Sequence, residues 1–158
     1  MFNPDQDGIY ARVQASPGRA VFAYGVLFGL GAIVLYIAIA FPPAPAWMVF
    51  MIAFGVLMLW LAEKQRRAAK LEILLMEDEV VDSDGRVLAR IADVTGVSRG
   101  ALAFKPSNGF TLITRDRGAG AYVPGIWWRF GRRVGVGGIT GAGQTKFMAE
   151  QIALRIKG

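Results

Sequence analysis

Two long apolar runs, residues 20–41 and 45–62, dominate the pattern of hydrophobic and polar positions along the chain. Neither run contains Asp, Glu, Lys or Arg, and a proline-rich turn, Phe41-Pro42-Pro43-Ala44-Pro45, separates them. At about 1.5 Å per helical residue the first run reaches about 33 Å, which is enough to cross a hydrocarbon core of about 30 Å. The pattern therefore predicts a membrane α-helical hairpin of two transmembrane helices over residues 20–62.

Residues 71–158 show a different pattern of short segments rich in β-branched and aromatic residues, separated by glycine, proline and asparagine. These features are typical of strands and tight turns. The predicted strands are residues 71–76, 80–88 around an Asp-Gly turn, 91–97, 102–105, 110–114, 121–123 and 127–136. The last residues, 144–157, carry Met148, Ile152 and Ile156 at four-residue steps, which predicts an amphipathic helix. The expected fold is a mostly-β, α+β soluble domain that ends in a helix.

The segments that flank the hairpin differ in charge. Residues 1–19 are polar and hold two prolines and two glycines, so they are predicted to be a flexible cytoplasmic leader. Residues 63–70 are good helix formers and are predicted to extend the second helix as a basic juxtamembrane segment. Its four cations are expected to contact anionic lipid headgroups and to set the topology; they are Lys64, Arg66, Arg67 and Lys70.

Both flanks of the hairpin are basic and the turn is uncharged, which predicts that both termini face the cytoplasm. Gly25 and Gly29 form a GxxxG spacing in the first run and are predicted to be a helix-packing face, most simply against the second run. The alternative for this region is a signal peptide cleaved after a small-x-small site, Ala44-Pro45-Ala46, although the first run is longer than a usual signal-peptide core. Whether the chain forms a homo-oligomer is left open.

Composition removes several classes of chemistry. The chain has no Cys and no His, which excludes thiolate catalysis, Cys/His zinc sites and a histidine general base from its own side chains. Residues 138–145 approach a P-loop, but Gln144 stands where the phosphate-binding lysine is needed. An acidic stretch at residues 77–84 does not follow the spacing of a calcium loop. No cofactor, no metal and no catalytic residue is predicted.

The most unusual soluble stretch, residues 125–133, interleaves tryptophan with arginine. In a strand, residues 127 and 129 face one side while residues 128 and 130 face the other, so one side can be core and the other a contact surface. A net charge of +6 is compatible with nucleic-acid binding. The cations beside the hairpin are more simply explained as a topology signal, so no nucleic-acid partner is predicted. The candidate partner-contact or membrane-contact residues are Trp127, Trp128, Arg129, Arg132 and Arg133.

A membrane hairpin followed by about seven short strands and a C-terminal amphipathic helix resembles the bacterial membrane-anchored pleckstrin-homology-like (PH-like) family. The resemblance rests on the order of elements over residues 71–75, 80–88, 104–114, 127–136 and 145–156. It implies a PH-like barrel over residues 71–158, plugged by the last helix, in a multi-pass protein of the bacterial inner membrane. Lipid-binding members use a basic loop between their first two strands, whereas here that loop is acidic, Glu77-Asp78-Glu79.

The function that the resemblance implies is non-catalytic. The cytoplasmic domain would bind a protein partner or the membrane surface, as a scaffold or accessory subunit of a membrane complex, with membrane lipids and a membrane protein as its partners. The alternatives are a membrane-associated enzyme, for which no spaced carboxylate pair is found, and a fragment of a transporter, for which the uncharged spans offer no ion path.

Overall fold

A computed structural model of the chain describes residues 3–99 and 109–158. The chain divides into two compact units, a helical unit formed by Pro17–Arg67 and a second unit formed by Met1–Ser16 together with Ala68–Gly158. We call the second unit the β domain. The predicted strand over residues 102–105, and most of the Pro106-Ser107-Asn108-Gly109 turn that follows it, lie outside the described residues.

The helical unit consists of two long apolar helices, α1 (Pro17–Ala40) and α2 (Pro45–Ala68). Both are long and apolar enough to cross a membrane. Only 11% of the most apolar 18-residue stretch of each helix is buried, whereas a core helix of a soluble protein is mostly buried. The predicted hairpin is therefore confirmed as two packed apolar helices. Helix α2 also includes most of the predicted extension, because residues 63–68 continue the helix without a break.

The two helices approach each other closely at Gly31 and Gly55. A Cβ on Gly31 would lie 2.9 Å from the carbonyl oxygen of Gly55, so the two backbones are nearly in contact. The predicted packing face is placed differently, because, apart from the backbone of α1 itself, no atom of the described residues lies within 4 Å of a Cβ built on Gly25 or Gly29. The GxxxG pair, Gly25 and Gly29, is therefore not on the face of α1 that contacts α2, whereas Gly31 is.

The β domain begins before the hairpin, in an antiparallel sheet of order β1-β2-β3-β4. Its strands are β1 (Ala11–Gln14), β2 (Glu72–Leu75), β3 (Glu79–Asp82) and β4 (Val87–Arg90). The prediction that residues 1–19 lack packed structure is wrong, because β1 pairs with β2. The reason is the alternation in β1, where Ala11 and Val13 are buried and Arg12 and Gln14 are exposed.

The second antiparallel sheet has the order β5-β6-β9-β8-β7. Its strands are β5 (Val94–Ser98), β6 (Phe110–Thr114), β7 (Ala121–Val123), β8 (Trp127–Phe130) and β9 (Arg133–Val136). The predicted strand over residues 91–97 begins later, since Ile91–Asp93 is a single 3₁₀ turn. The predicted strand over residues 127–136 is two strands, because Gly131 has a positive φ of 61° in the turn between them.

The last helix, α3 (Ala142–Lys157), confirms the predicted C-terminal helix and packs on strands of both sheets, β1 on one side and β5 and β6 on the other. Its buried residues Met148, Ala149 and Ile152 complete a core to which both sheets contribute. Within residues 3–99 and 109–158 the two sheets remain separate, and no strand pairing closes them into a barrel.

Candidate functional site: an aromatic face with an arginine tip

Strand alternation divides the candidate residues of β8 between two faces. Trp127 is 2% exposed and lies in the core, opposite Val123 and Val136. Trp128 and Phe130 point to the other side of the sheet, and Phe130 is 59% exposed. The expected division of this strand into a core side and an outer side is thus what the structure shows.

Arg129 also lies on the inner side of β8, where it joins the two sheets. Its Nε donates to the carbonyl oxygen of Ala119 at 2.6 Å, and its Nη1 donates to those of Val87 and Leu88, both at 3.3 Å. Three backbone acceptors from two elements therefore hold this guanidinium. Trp127 and Arg129 are placed as structural residues, not on a contact surface, which corrects their selection as contact residues.

The outer side of the sheet carries three neighbouring aromatic residues, two of them exposed and the third, Trp128, partly buried. Tyr122 of β7, 54% exposed, lies opposite Trp128, and the rings of Trp128 and Phe130 are in contact, 5.4 Å apart between centroids and tilted by 35°. Trp128 in turn lies opposite Gly135 of β9 and covers it. We call Tyr122, Trp128 and Phe130 the aromatic face. Sequence reasoning missed Tyr122, because only the register of β7 on β8 brings it beside Trp128.

Two connections meet at one end of this sheet. The β8–β9 turn accepts two hydrogen bonds, one from Gly118 N of the β6–β7 connection to the Gly131 oxygen at 2.9 Å and one from Thr114 N at the end of β6 to the Arg132 oxygen at 2.8 Å. This contact gathers four exposed arginines, which we call the arginine tip: Arg115, Arg117, Arg132 and Arg133.

The arginine tip carries an excess of positive charge. One exposed acid, Asp116, lies among the four arginines, and none of the four makes an ion pair with any residue in the ranges 3–99 and 109–158. Arg133 lies directly opposite Phe130 across β8 and β9, so the tip and the aromatic face are continuous. Such a pairing of exposed aromatic rings with arginines is typical of contact surfaces.

A cleft of about 240 Å³ opens beneath the tip, between β4 and the β6–β7 connection. Its charged lining is mixed, with Arg90, Arg117 and Arg129 facing Asp93 and Asp116. The one side-chain hydroxyl in the lining, that of Thr114, lies 2.8 Å from the backbone oxygen of Asp116 and 3.1 Å from that of Arg132, so its proton is shared between two backbone acceptors. The described part of the chain also has no group of three or more acidic side chains placed to hold a metal ion.

The basic residues after the apolar part of α2 make local contacts. Arg66 and Arg67 both bind Glu63, at 2.7 and 2.9 Å, and the Lys64 ammonium lies 4.7 Å from the centre of the Trp60 ring. Lys70 follows the helix and is exposed. Because Glu63 neutralises part of this charge, the segment is less strongly basic than its arginines and lysines alone suggest.

No family model matches this chain, and neither the curated proteins nor the solved structures give a significant match.

Proposed function

We propose that the protein is a non-catalytic, membrane-anchored binding protein whose β domain uses the aromatic face and the arginine tip as its contact surface. The observation that carries the proposal is the exposure of Tyr122, across from Trp128 on β7, and of Phe130, two residues after Trp128 on β8, continuous with arginines that make no ion pair in the described chain. Exposed apolar patches bordered by polar groups mark interaction sites more often than they mark ordinary surface.

A PH-like arrangement of the β domain is part of this proposal. Two antiparallel sheets and a C-terminal helix that contacts strands of both support it. Barrel closure is the finer expectation, and an experimental structure of the full chain in detergent would test it. The acidic β2–β3 turn, Glu77-Asp78-Glu79, makes that turn an unsuitable place for an anionic headgroup.

We further propose that α1 and α2 span the inner membrane with both flanks in the cytoplasm. The pairing of β1 with β2 supports a common side, since strands on opposite sides of a bilayer cannot pair. It also argues against cleavage at residues 44–46, which would remove β1 from the domain. A single Cys placed in this Cys-free chain at Ala44 should react with an impermeant maleimide in spheroplasts, and one at Gln6 only after lysis. The opposite pattern would reverse the orientation.

The contact surface itself is tested by photo-crosslinking in the native host. A benzophenone amino acid replaces Tyr122 or Phe130 in the full chain, and the matched control replaces Leu154, an apolar residue of α3 that is 66% exposed. We expect a discrete adduct of higher mass from positions 122 and 130 but not from position 154. Absence of adducts at all three positions, or equal adducts at all three, would refute the proposed surface.

A further inference from the structure

The arginine tip and the residues that contact the chain just before α1 lie at opposite ends of β9. Ser16, the last residue before α1, donates through its backbone N to the carbonyl oxygen of Ile139 at 2.7 Å, and Ala15 forms a bridge with Thr140. Residues 137–140 follow the end of β9, whereas the Gly131-Arg132 turn precedes its start. The connection to the hairpin and the tip are thus at opposite ends of β9, about 10 Å apart along the strand at about 3.3 Å per residue.

The distribution of charge on the outer side of the sheet is also uneven. The cations of the tip are at one end of the sheet, with Arg133 on its outer side, while the row that crosses the sheet at Trp128 continues through Gly135, Thr111 and Ser98 and carries no charge. A nucleic acid strand needs cations along the whole track of its phosphates. This surface instead fits a ligand whose negative charge is local and whose remaining contact is apolar.

We infer that the arginine tip and the aromatic face bind a short acidic segment of a protein partner, with its carboxylates at Arg132 and Arg133 and a large apolar side chain against Phe130 and Trp128. This inference rests on the proposed function and names the chemistry of its partner. Arginine suits the role because its planar guanidinium binds a carboxylate through two parallel hydrogen bonds. A lipid headgroup offers the same negative charge, so the test below includes lipid vesicles as a competitor.

A displayed random-peptide library tests the inference on the full chain held in nanodiscs of phosphatidylcholine. We expect the enriched peptides to share two or more Asp or Glu residues next to Leu, Phe or Trp. One such peptide, labelled with fluorescein, should bind about tenfold more weakly to the Arg132→Glu/Arg133→Glu variant and to Phe130→Ala. The matched controls, Lys146→Glu/Lys157→Glu and Leu154→Ala on α3, should leave its affinity unchanged.

Three outcomes would overturn the inference. The first is a library with no enrichment or with a basic consensus. The second is displacement of the labelled peptide by phosphatidylglycerol vesicles at lower concentration than by unlabelled peptide, which would indicate a lipid site. The third is displacement of the labelled peptide by a single-stranded RNA oligonucleotide at lower concentration than by unlabelled peptide, which would indicate a nucleic-acid site. If any of these occurs while positions 122 and 130 still crosslink in cells, the proposed function stands and only the partner chemistry is wrong.

Discussion

Trp128 lies directly over Gly135, its cross-strand neighbour, so that a Cβ on residue 135 would be 2.6 Å from indole Cζ2. Because residue 135 of β9 has no side chain, the indole can occupy the space above it, and the indole in turn contacts the tilted ring of Phe130. The aromatic face therefore depends on a residue that has no side chain to contribute.

Replacing Gly135 with Ala should destabilise the β domain by about 1–3 kcal/mol, because the indole must move or the two strands must separate. Urea unfolding of the full chain in detergent micelles, followed by near-ultraviolet circular dichroism, measures the loss. Gly143→Ala is the control, since, apart from the backbone of α3 itself, no atom of the described residues lies within 4 Å of its Cβ position. Equal stability of both variants would show that Trp128 does not rest on Gly135.

Strand β1 should be essential to the β domain although the hairpin separates it from the rest of the sequence. Val13 is fully buried and lies opposite Ile73 of β2. We expect Val13→Ala to lower the free energy of unfolding by about 1.5–3 kcal/mol, through lost burial and the cavity that remains. Val87→Ala, at a partly exposed position of β4, should cost less than half as much in the same urea titration. If Val13→Ala left the free energy of unfolding unchanged, residues 1–19 would be a flexible leader as the sequence predicted, and β1 would not contribute to the domain.

Arg129 should act as a structural connection between the sheets. Arg129→Lys cannot keep all three of its hydrogen bonds to backbone oxygens, because an ammonium lacks the fixed fork of a guanidinium. The variant should lose about 1–3 kcal/mol of unfolding free energy. Arg132→Lys, on the exposed turn, should be within about 0.5 kcal/mol of the original protein. If both substitutions had the same effect on chemical unfolding, Arg129 would not join the sheets.

The N-terminal loop should give the domain an acid-sensitive contribution to stability. The backbone N–H of Ile9 and the Arg12 guanidinium both donate to the Asp5 carboxylate, at 3.0 and 2.9 Å, and they lower the pKa of Asp5 below its ordinary value of 3.8. Because the folded state holds this carboxylate ionised more strongly than the unfolded state does, the contribution is present above pH 3.8 and is lost as the pH falls through the lowered pKa.

Melting temperatures at a series of pH values from neutral to strongly acidic would detect this contribution. The original protein should melt above Asp5→Asn at neutral pH, and the difference should shrink as the pH falls below the ordinary pKa of an aspartate. Asp78→Asn, at an exposed acid, is the control and should follow the original protein throughout. A difference that stays constant with pH would mean that the Asp5 charge does not contribute.

How far the sequence could predict this structure depends on the range of the interaction involved. The hairpin, α3 and the β3–β4 turn could be predicted because each depends on one continuous stretch of sequence. The evidence is the length of the apolar runs, the four-residue spacing of apolar positions and an Asp-Gly pair. Strand β1 was not predicted, since four residues become a strand only through β2, on the far side of the hairpin.

The candidate site shows the same limit. Alternation along β8 separates Trp128 and Phe130 from Trp127 without any structure, and it could have added Phe130 to the predicted residues. Tyr122, Arg115 and Arg117 could not be found in this way, because they reach the site through the register of β7 and the contact between two loops. The role of Arg129 depends on backbone oxygens of β4, which no residue pattern reveals.

The close approach of α1 and α2 should depend on Gly55 and not on the GxxxG pair. A Cβ on Gly55 would lie 2.6 Å from Leu35 Cγ and 3.2 Å from the Gly31 oxygen, so Gly55→Val should force the helices apart at a cost of about 1–3 kcal/mol. Gly29→Val is the matched control and should leave the hairpin intact. An SDS titration, followed by energy transfer between dyes on cysteines introduced at Gly18 and Arg67, measures their separation. The structure predicts an earlier transition for Gly55→Val alone, and an earlier transition for Gly29→Val would mean that the helices pack through the GxxxG face.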